Sequence, residues 1–173
     1  MQTELLIVVD EHDHPVGTAS RSDVHRKGLF HRAVHVLVVN NASQVFLQLR
    51  STSKDRYPNR WDSSASGHVE AGETYEAAAI RELSEELGIL SPVKLEPLIK
   101  LPGSIETDNE FVQVYKCCWD GPISINPKEI EDGRWFSPQE IDEWVKSKST
   151  LFAPSFVVIW SHFKRERSSL MLI

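Results

Sequence analysis

Three glutamates in one short segment of the chain could together hold a divalent cation. The segment GHVEAGETYEAAAIRELSEELGI, residues 67–89, contains six glutamates, one arginine and three glycines. If the segment forms a helix, Glu82, Glu85 and Glu86 fall within an arc of about 100° and point to one side. Like charges at these spacings destabilise a helix by roughly a few tenths of a kcal/mol per pair, so we expect a compensating partner. Hard divalent cations take oxygen ligands and also bind phosphate oxygens.

The same residues would suit a solvent-exposed acidic helix, and three glutamates taken alone favour that alternative. The neighbouring residues are more particular. We expect Arg81 to point away from the carboxylate face and to pair with Glu73 in the preceding loop. Gly67 and Gly72 permit backbone conformations and close approaches that a side chain would block.

A helix must hold these glutamates in place, and the sequence supplies its ends. Thr74 is a typical N-cap residue, and Gly88 is a typical stop after Leu87. Ile80, Leu83 and Leu87 repeat at helical spacing, so we expect these three side chains to face the core.

The remaining elements are predicted from hydrophobic pattern and turn residues. The predicted strands are residues 5–9, 16–20, 31–39, 44–49, 93–101 and 111–119. The polar segment 51–64 is predicted to be a loop. Ser137, Pro138 and Glu140 form a capping box that begins a helix running to about residue 146. A last helix follows Pro154 and carries apolar residues along one face, namely Phe156, Ile159, Trp160 and Phe163. Mixed strands and helices without a linker indicate one α/β domain covering residues 1–173.

Charge and cysteine usage exclude several classes of function. The formal net charge of −6 disfavours general binding to nucleic acid or to anionic membranes. It would also repel a polyphosphate substrate unless cations are present at the site. The first apolar run is short and follows Glu4, which is unlike a signal peptide, and no run reaches the length of a membrane span. Cys117 and Cys118 are adjacent, so they cannot form a disulfide framework, and we expect one to be buried in a reduced, cytoplasmic protein.

The glutamate segment fits one exact spacing, G-x5-E-x7-R-E-U-x-E-E-x-G-U, in which U is aliphatic. The matching residues are Gly67, Glu73, Arg81, Glu82, Leu83, Glu85, Glu86, Gly88 and Ile89. With average residue usage, a chance match in a chain of this length is on the order of 10⁻⁸ to 10⁻⁷. This pattern is the signature of the Nudix family, which the segment resembles at every defining position; we call residues 67–89 the Nudix box. The resemblance implies an α/β/α sandwich with a mixed β-sheet, in which the box is a loop-helix-loop.

The resemblance also implies an activity, the hydrolysis of a diphosphate linked to another moiety. Carried over by position, Glu82, Glu85 and Glu86 would hold Mg²⁺ or Mn²⁺, with the Gly67 carbonyl as a further ligand. Glu73 and Arg81 would form a salt bridge that stiffens the loop.

The chemistry is consistent with this implication. Metal ions neutralise the charge of a diphosphate, orient it and lower the pKa of a bound water, and a carboxylate can then act as general base. A later loop often supplies another acid, and Glu129 is our candidate, although it could equally be a solvated loop residue. Arg50 and Lys54 follow a strand near the box and are candidates for binding phosphate oxygens, with surface charges as the alternative.

A second resemblance covers most of the chain but is less specific. The stretches MQTELLIVVDEHDHPVGT, HRAVHVLVVN, FLQLRSTSKDRYPNRWDSSASGHVEAGE and DNEFVQVY resemble the isopentenyl-diphosphate isomerase branch of the Nudix superfamily. In that branch, three histidines and two acids hold a divalent metal. The matching positions are His25, His31, His68, Asp108 and Glu110. Asp108 stands where glutamate is usual, and each histidine could instead be an ordinary polar residue.

The isomerase resemblance fails at one catalytic position. The isomerase uses a cysteine and a glutamate on opposite faces of an allylic carbon, and the residue at the cysteine position is Ser66. A hydroxyl is a far weaker acid than a thiol, whose pKa is about 8.5. Isomerases also tend to have a degraded Nudix box, whereas this box is complete. Both departures favour an isomerase-like scaffold with hydrolase machinery.

Three functions follow from these observations. The first is a metal-dependent hydrolase that cleaves the diphosphate linkage of a nucleoside di- or triphosphate, or of a related derivative. The second is isopentenyl-diphosphate Delta-isomerase, and the third is a non-catalytic ligand sensor that keeps the fold. For the leading function we expect a small-molecule diphosphate as partner and neither nucleic acid nor membrane, while a homodimer is left open.

Overall fold

The computed structural model describes residues 4–90 and 92–170, without the side chains of residues 169 and 170. Residues 1–3, 91 and 171–173 of the predicted domain lie outside the described residues. The elements in chain order are β1 (Leu5–Val9), β2 (Pro15–Ser20), α1 (Arg21–Lys27), β3 (His31–Val39), β4 (Val45–Arg50), β5 (Trp61–Asp62), β6 (Ala65–His68), α2 (Tyr75–Leu87), β7 (Leu95–Leu101), β8 (Glu110–Cys118), β9 (Ile130–Phe136), α3 (Pro138–Lys148), a 3₁₀ turn (Ser149–Leu151) and α4 (Pro154–Leu170).

Strand β3 organises the sheet. It pairs parallel with β8 along its whole length and antiparallel with β6 at residues 33–36. The remaining strands are added by antiparallel pairing: β2 pairs with β1, β7 pairs with β8, and β5 and β9 both pair with β4. The sheet is therefore mixed, and the short strand β6 carries the start of the Nudix box onto β3.

Helices cover both faces of β3 because its apolar side chains point alternately to one face of the sheet and to the other. Val34, Val36 and Val38 lie in one buried cluster with Leu83 and Leu87 of α2. On the opposite face, a second cluster joins β3 to α3 and α4; its members include Ala33, Leu37, Ile141, Phe156, Ile159 and Trp160. The predicted α/β/α sandwich is confirmed.

The buried face of α2 differs from the predicted one. Ile80 is 46% exposed, so its predicted place in the core is wrong. Ala79, Leu83 and Leu87, spaced four residues apart, form the apolar contact instead. The buried stripe of α2 therefore passes through Ala79 rather than Ile80, which leaves Ile80 on the outer side of the helix.

Other local predictions are confirmed. Thr74 accepts a hydrogen bond from Ala77 N, and Gly88 ends α2 in the left-handed region at φ 65°. The capping box of α3 forms as predicted. Cys117 is buried and Cys118 is exposed.

Several short elements were not predicted from the sequence. Helix α1 spans seven residues and buries only Val24, so it shows no helical periodicity. Strand β6 has the sequence ASGH, which lacks β-branched residues, and its conformation comes from pairing with β3. β5 and β9 were also missed, and β7 begins two residues later than predicted. Among the described residues, no helix combines the length and apolar composition that would let it cross a membrane.

Candidate active site

A cavity of about 770 Å³ lies where the Nudix box meets β3 and the 51–60 loop. Side chains from strands, helices and loops line it, including the sequence candidates Glu82, Glu85, Glu86, Glu129, Arg50, Lys54, His25, His68, Asp108 and Glu110. The candidates for the glutamate site and for the histidine site therefore share one cavity.

Two of the three candidate metal-binding glutamates are buried. Glu86 is 2% exposed and Glu82 is 8% exposed, whereas the Glu85 side chain is 57% exposed. Glu86 Oε2 accepts hydrogen bonds from Gln48 Nε2 at 2.7 Å and from Ser66 N at 3.0 Å. Both donors belong to strands, so the sheet fixes the position of this carboxylate.

Gly67 makes room for Glu82. A Cβ atom at position 67 would lie 2.0 Å from Glu82 Oε1 and 2.2 Å from its Cδ. The carboxylate thus packs directly on the backbone of β6, and only glycine permits this contact.

The protein only partly compensates the negative charge that Glu82 and Glu86 carry when they are ionised. Burial raises the pKa of Glu82 and of Glu86 well above the usual range. The charge of Glu85 adds to the rise at Glu82, and the charge of Glu82 adds to the rise at Glu86. A divalent cation at these oxygens would supply positive charge where the carboxylates crowd together, so the donor set fits Mg²⁺ or Mn²⁺.

Arg81 supplies part of the compensation, contrary to the sequence prediction. Its Nε binds Glu73 Oε1 at 2.8 Å, as expected, and its Nη2 donates to His68 O at 2.9 Å. Its Nη1, however, lies 2.6 Å from Glu82 Oε1 and 3.2 Å from Glu85 Oε2. The prediction that Arg81 points away from the carboxylates is wrong, because the long side chain folds back across the helix. Arg81 consequently ties the loop, β6 and α2 together.

Glu129 and Lys54 form an ion pair in the wall of the cavity. Glu129 lies in the turn before β9, where its backbone N donates to Asn126 O at 3.0 Å. Asn126 N in turn donates to Glu86 O at 2.9 Å. This turn places the Glu129 carboxylate beside the C-terminal end of α2, where the carboxylate is already paired with the Lys54 ammonium group.

Arg50 holds the 51–60 loop. Its Nε and Nη2 donate to the Arg56 carbonyl at 3.2 and 3.0 Å, and its Nη1 lies 3.4 Å from Asp62 Oδ2. Much of its hydrogen-bonding capacity is therefore used within the protein, while the Lys54 ammonium group pairs with one described residue, Glu129.

Three histidines meet beside the cavity, which two of them, His25 and His68, line. The ring centroids of His25, His31 and His68 lie 5.1–5.3 Å apart, and one nitrogen of each falls within 4.8 Å of the others. Glu110 Oε1 lies 3.6 Å from His31 Nε2 and 3.4 Å from His68 Nε2. We call His25, His31 and His68 the histidine cluster.

A separate acceptor holds the Nδ1 atom of each ring. His31 Nδ1 is 2.9 Å from the Leu29 carbonyl, and His68 Nδ1 is 3.3 Å from Glu4 Oε1. His25 Nδ1 is 3.2 Å from Asp108, whose other oxygen pairs with Arg56. Among the described residues, the Nε2 atoms of His25 and His31 are buried without a hydrogen-bond partner, which fits a cation held by nitrogen. The contact of Asp108 with the histidine cluster is therefore to the Nδ1 atom of His25.

The charges around the histidine cluster set its protonation. Burial works against the charged form of His68, but hydrogen bonds to Glu110 and Glu4 outweigh it and raise the pKa of His68 to about 9. Burial likewise opposes ionisation of Glu110, but the neighbouring imidazoles of His31 and His68 outweigh burial and lower the pKa of Glu110. Burial lowers the pKa of His25, and the two neighbouring imidazoles lower it further.

Sequence reasoning missed several residues of the cavity. Gln48, which holds Glu86, and His35, which lines the cavity, are polar residues inside the apolar strands VFLQLR and HRAVHVLVV. A polar side chain at a buried strand position was the available signal, since such a group needs a partner. Glu4 and Arg56 carried no comparable signal.

Comparison with known proteins identifies the family. The family model of the NUDIX domain matches residues 29–154, a stretch that contains the whole Nudix box and Glu129. The chain belongs to the Nudix family. Nudix enzymes generally use divalent metal ions, as the buried glutamates suggest.

Nudix relatives of two kinds resemble the chain. An isopentenyl-diphosphate Delta-isomerase 2 of Photorhabdus laumondii is 33% identical over 161 residues, which are 91% of this chain and 88% of the relative. An uncharacterised Nudix hydrolase of Pseudomonas aeruginosa is 36% identical over 139 residues, 79% of this chain and 80% of the relative. The crystal structure of DR0079 from Deinococcus radiodurans matches with a TM-score of 0.74 and 32% identity, covering 84% of this chain and 90% of that one. Family membership and the hydrolase relatives make this protein a Nudix hydrolase.

Proposed function

We propose that this Nudix hydrolase cleaves the diphosphate linkage of a nucleoside di- or triphosphate, or of a related nucleoside diphosphate derivative, by attack of water at phosphorus. The observation that carries the proposal is the buried pair Glu82 and Glu86 at the wall of a large cavity. Carboxylates that burial and mutual repulsion leave undercompensated are suited to a divalent cation and a phosphate ligand.

The residues that would hold Mg²⁺ or Mn²⁺ are Glu82, Glu85, Glu86 and the Gly67 carbonyl. When bound, a divalent cation neutralises phosphate charge and lowers the pKa of a water molecule. The protein's own groups position the carboxylates. Gln48 and the Ser66 amide fix one oxygen of Glu86, which leaves its other oxygen for the site.

Proton transfer and substrate binding fall to the remaining charged groups. A carboxylate of the site accepts the proton of the attacking water, and Glu129 is the further acid. Lys54 can exchange Glu129 for a phosphate oxygen, since both residues line the cavity. The cavity of about 770 Å³ falls within the range of about 300–1,000 Å³ that is usual for small-molecule sites.

Isopentenyl-diphosphate isomerisation is the second candidate, favoured by the histidine cluster and by the name of the Photorhabdus relative. His25, His31, His68 and Glu110 would hold the metal of that site, while Asp108 orients His25. Against this candidate, a serine hydroxyl at position 66 is too weak an acid to replace a thiol in proton transfer to carbon.

A product assay separates the candidates. Wild type and Glu86→Gln are incubated with nucleotides, nucleotide sugars and isopentenyl diphosphate in the presence of Mg²⁺ or Mn²⁺, and products are analysed by mass spectrometry. We expect hydrolysis by wild type and a loss of at least about 100-fold in the variant, because the lost charge weakens both cation and phosphate binding. An isomerised product without hydrolysis would replace the proposal with the isomerase.

The remaining alternatives have their own tests. A non-catalytic sensor would bind a diphosphate equally well after Glu85→Gln and Glu86→Gln, whereas the hydrolase would not. Sedimentation analysis would decide between a monomer and a homodimer.

A cytoplasmic location remains our prediction from the two adjacent free cysteines. A small-molecule diphosphate remains the proposed partner, and we propose neither nucleic acid nor membrane as a partner.

A further inference from the structure

His35 is a buried imidazole in the cavity wall that neither candidate metal site uses. It lies on β3, is 4% exposed and lines the cavity. Its direct cross-strand neighbour is Ser66 on β6, so the two side chains stand on the same face of the sheet. Ser66 also lines the cavity.

The ring of His35 is held from behind by polar groups. Its Nδ1 lies 2.8 Å from Ser63 Oγ and 3.6 Å from Asp62 Oδ1. Asp62 is itself fixed, because its Oδ1 accepts a hydrogen bond from Ser63 N at 2.8 Å and its Oδ2 lies 3.4 Å from Arg50 Nη1. No described residue forms a hydrogen bond with Nε2 of His35, so this nitrogen is left for a ligand in the cavity.

Position along the sheet assigns His35 to the glutamate site. The Ser66 amide donates to Glu86 Oε2 at 3.0 Å, which places the imidazole one strand away from that carboxylate. His31 of the histidine cluster lies four residues earlier on β3, about 13 Å along the strand. His35 and Glu86 therefore border the same end of the cavity.

We propose that His35 is a substrate-binding residue, whose Nε2–H donates a hydrogen bond to a phosphate oxygen of the bound diphosphate. This inference rests on the proposed function. Ser63 Oγ, 2.8 Å from Nδ1, can donate its hydroxyl proton to that nitrogen, which leaves the ring proton on Nε2. A charge-assisted bond of this kind is stronger than a neutral one, and its geometry is fixed before the substrate arrives. Lys54 and Arg50 must give up carboxylate partners to reach a phosphate, whereas Nε2 of His35 need not.

Equilibrium binding tests the inference directly. Methylenediphosphonate, a diphosphate that cannot be hydrolysed, is titrated calorimetrically into the Mn²⁺-loaded protein. We expect His35→Gln to weaken binding about tenfold and Ser63→Ala, which frees the ring without removing it, to weaken it less. His12→Gln is the matched control, because His12 is exposed on the β1–β2 turn away from the cavity. With a hydrolysed substrate, His35→Gln is expected to raise KM more than it lowers kcat.

A measurement on the wild-type protein avoids dependence on a variant's folding. In protein labelled with ¹⁵N-histidine and loaded with Mg²⁺, the His35 Nε2 resonance, assigned by its absence in His35→Gln, should shift when methylenediphosphonate is added. An unmoved resonance, or wild-type binding and kinetics in a folded His35→Gln, would overturn the inference while leaving the hydrolase intact. A shifted resonance in a protein that hydrolyses nothing would support the role of His35 and overturn the proposed function.

Discussion

Adding a single methyl group at position 67 should displace a carboxylate of the active site. In Gly67→Ala, the new Cβ would lie 2.0 Å from Glu82 Oε1. Moving from 2.0 Å to an ordinary contact at 3.4 Å is a displacement of about 1.4 Å. The backbone of β6 is paired with β3, so the glutamate must give way. A misplacement of about 1 Å at a catalytic centre can lower the rate by about 100-fold.

The assay compares hydrolysis, Mn²⁺ affinity and thermal stability of Gly67→Ala with those of Gly17→Ala. Gly17 also lies in a strand, but a Cβ atom there meets nothing within 4 Å. We expect Gly67→Ala to lose at least about 100-fold in kcat/KM and to bind Mn²⁺ more weakly, while overpacking costs about 1–3 kcal/mol of stability. Gly17→Ala should behave like wild type. Full activity in Gly67→Ala would refute the assignment of the Glu82 carboxylate to the site.

Further predictions concern the support of the site and of the fold. Gln48→Leu removes the strand donor to Glu86, so calorimetry should show weaker Mn²⁺ binding and kinetics a lower kcat, whereas unchanged values would mean that the hydrogen bond is dispensable. Asp13 is partly buried, which raises its pKa, but ion pairs with Lys100 and Arg32 outweigh burial and lower the pKa. Its stabilisation is thus present above about pH 4 and is lost as the pH falls through the lowered pKa. Asp13→Asn should lower Tm by a few degrees at pH 7, a difference that shrinks below pH 4; the same difference at every pH would contradict the reasoning. Replacing all three residues of the histidine cluster by alanine should remove one bound Mn²⁺ per chain in elemental analysis, and unchanged metal content would exclude a site there.

The Nudix box could be predicted from the sequence because its determinants are local. Thr74 and Gly88 fix the ends of α2, and the spacing of its glutamates determines which of them share a face. Which side of α2 faces the core was harder to predict, since alanines can pack against the sheet as well as larger apolar residues do. Ile80 was therefore placed in the core, while Ala79 occupies that position.

Tertiary partners were beyond the reach of local pattern. The fold of the Arg81 side chain towards Glu82 depends on the position of β6, which shows no strand pattern of its own. Gln48 and His35 were visible as polar residues in apolar strands, but their partners come from strand register and from residues many positions away. Helix α1 brings His25 to His31 although its sequence has no helical periodicity, so only the family resemblance indicated that contact.

Hydrolysis in H₂¹⁸O tests the central claim most directly. The wild-type enzyme with Mn²⁺ is given the best substrate of the nucleotide panel in labelled water, beside Glu86→Gln, and the phosphate products are weighed by mass spectrometry. Water attack at phosphorus predicts one ¹⁸O in one phosphate product of the wild type and at least about 100-fold less product from the variant. Product without ¹⁸O on phosphorus, or equal turnover by Glu86→Gln, would contradict the proposed chemistry of this site.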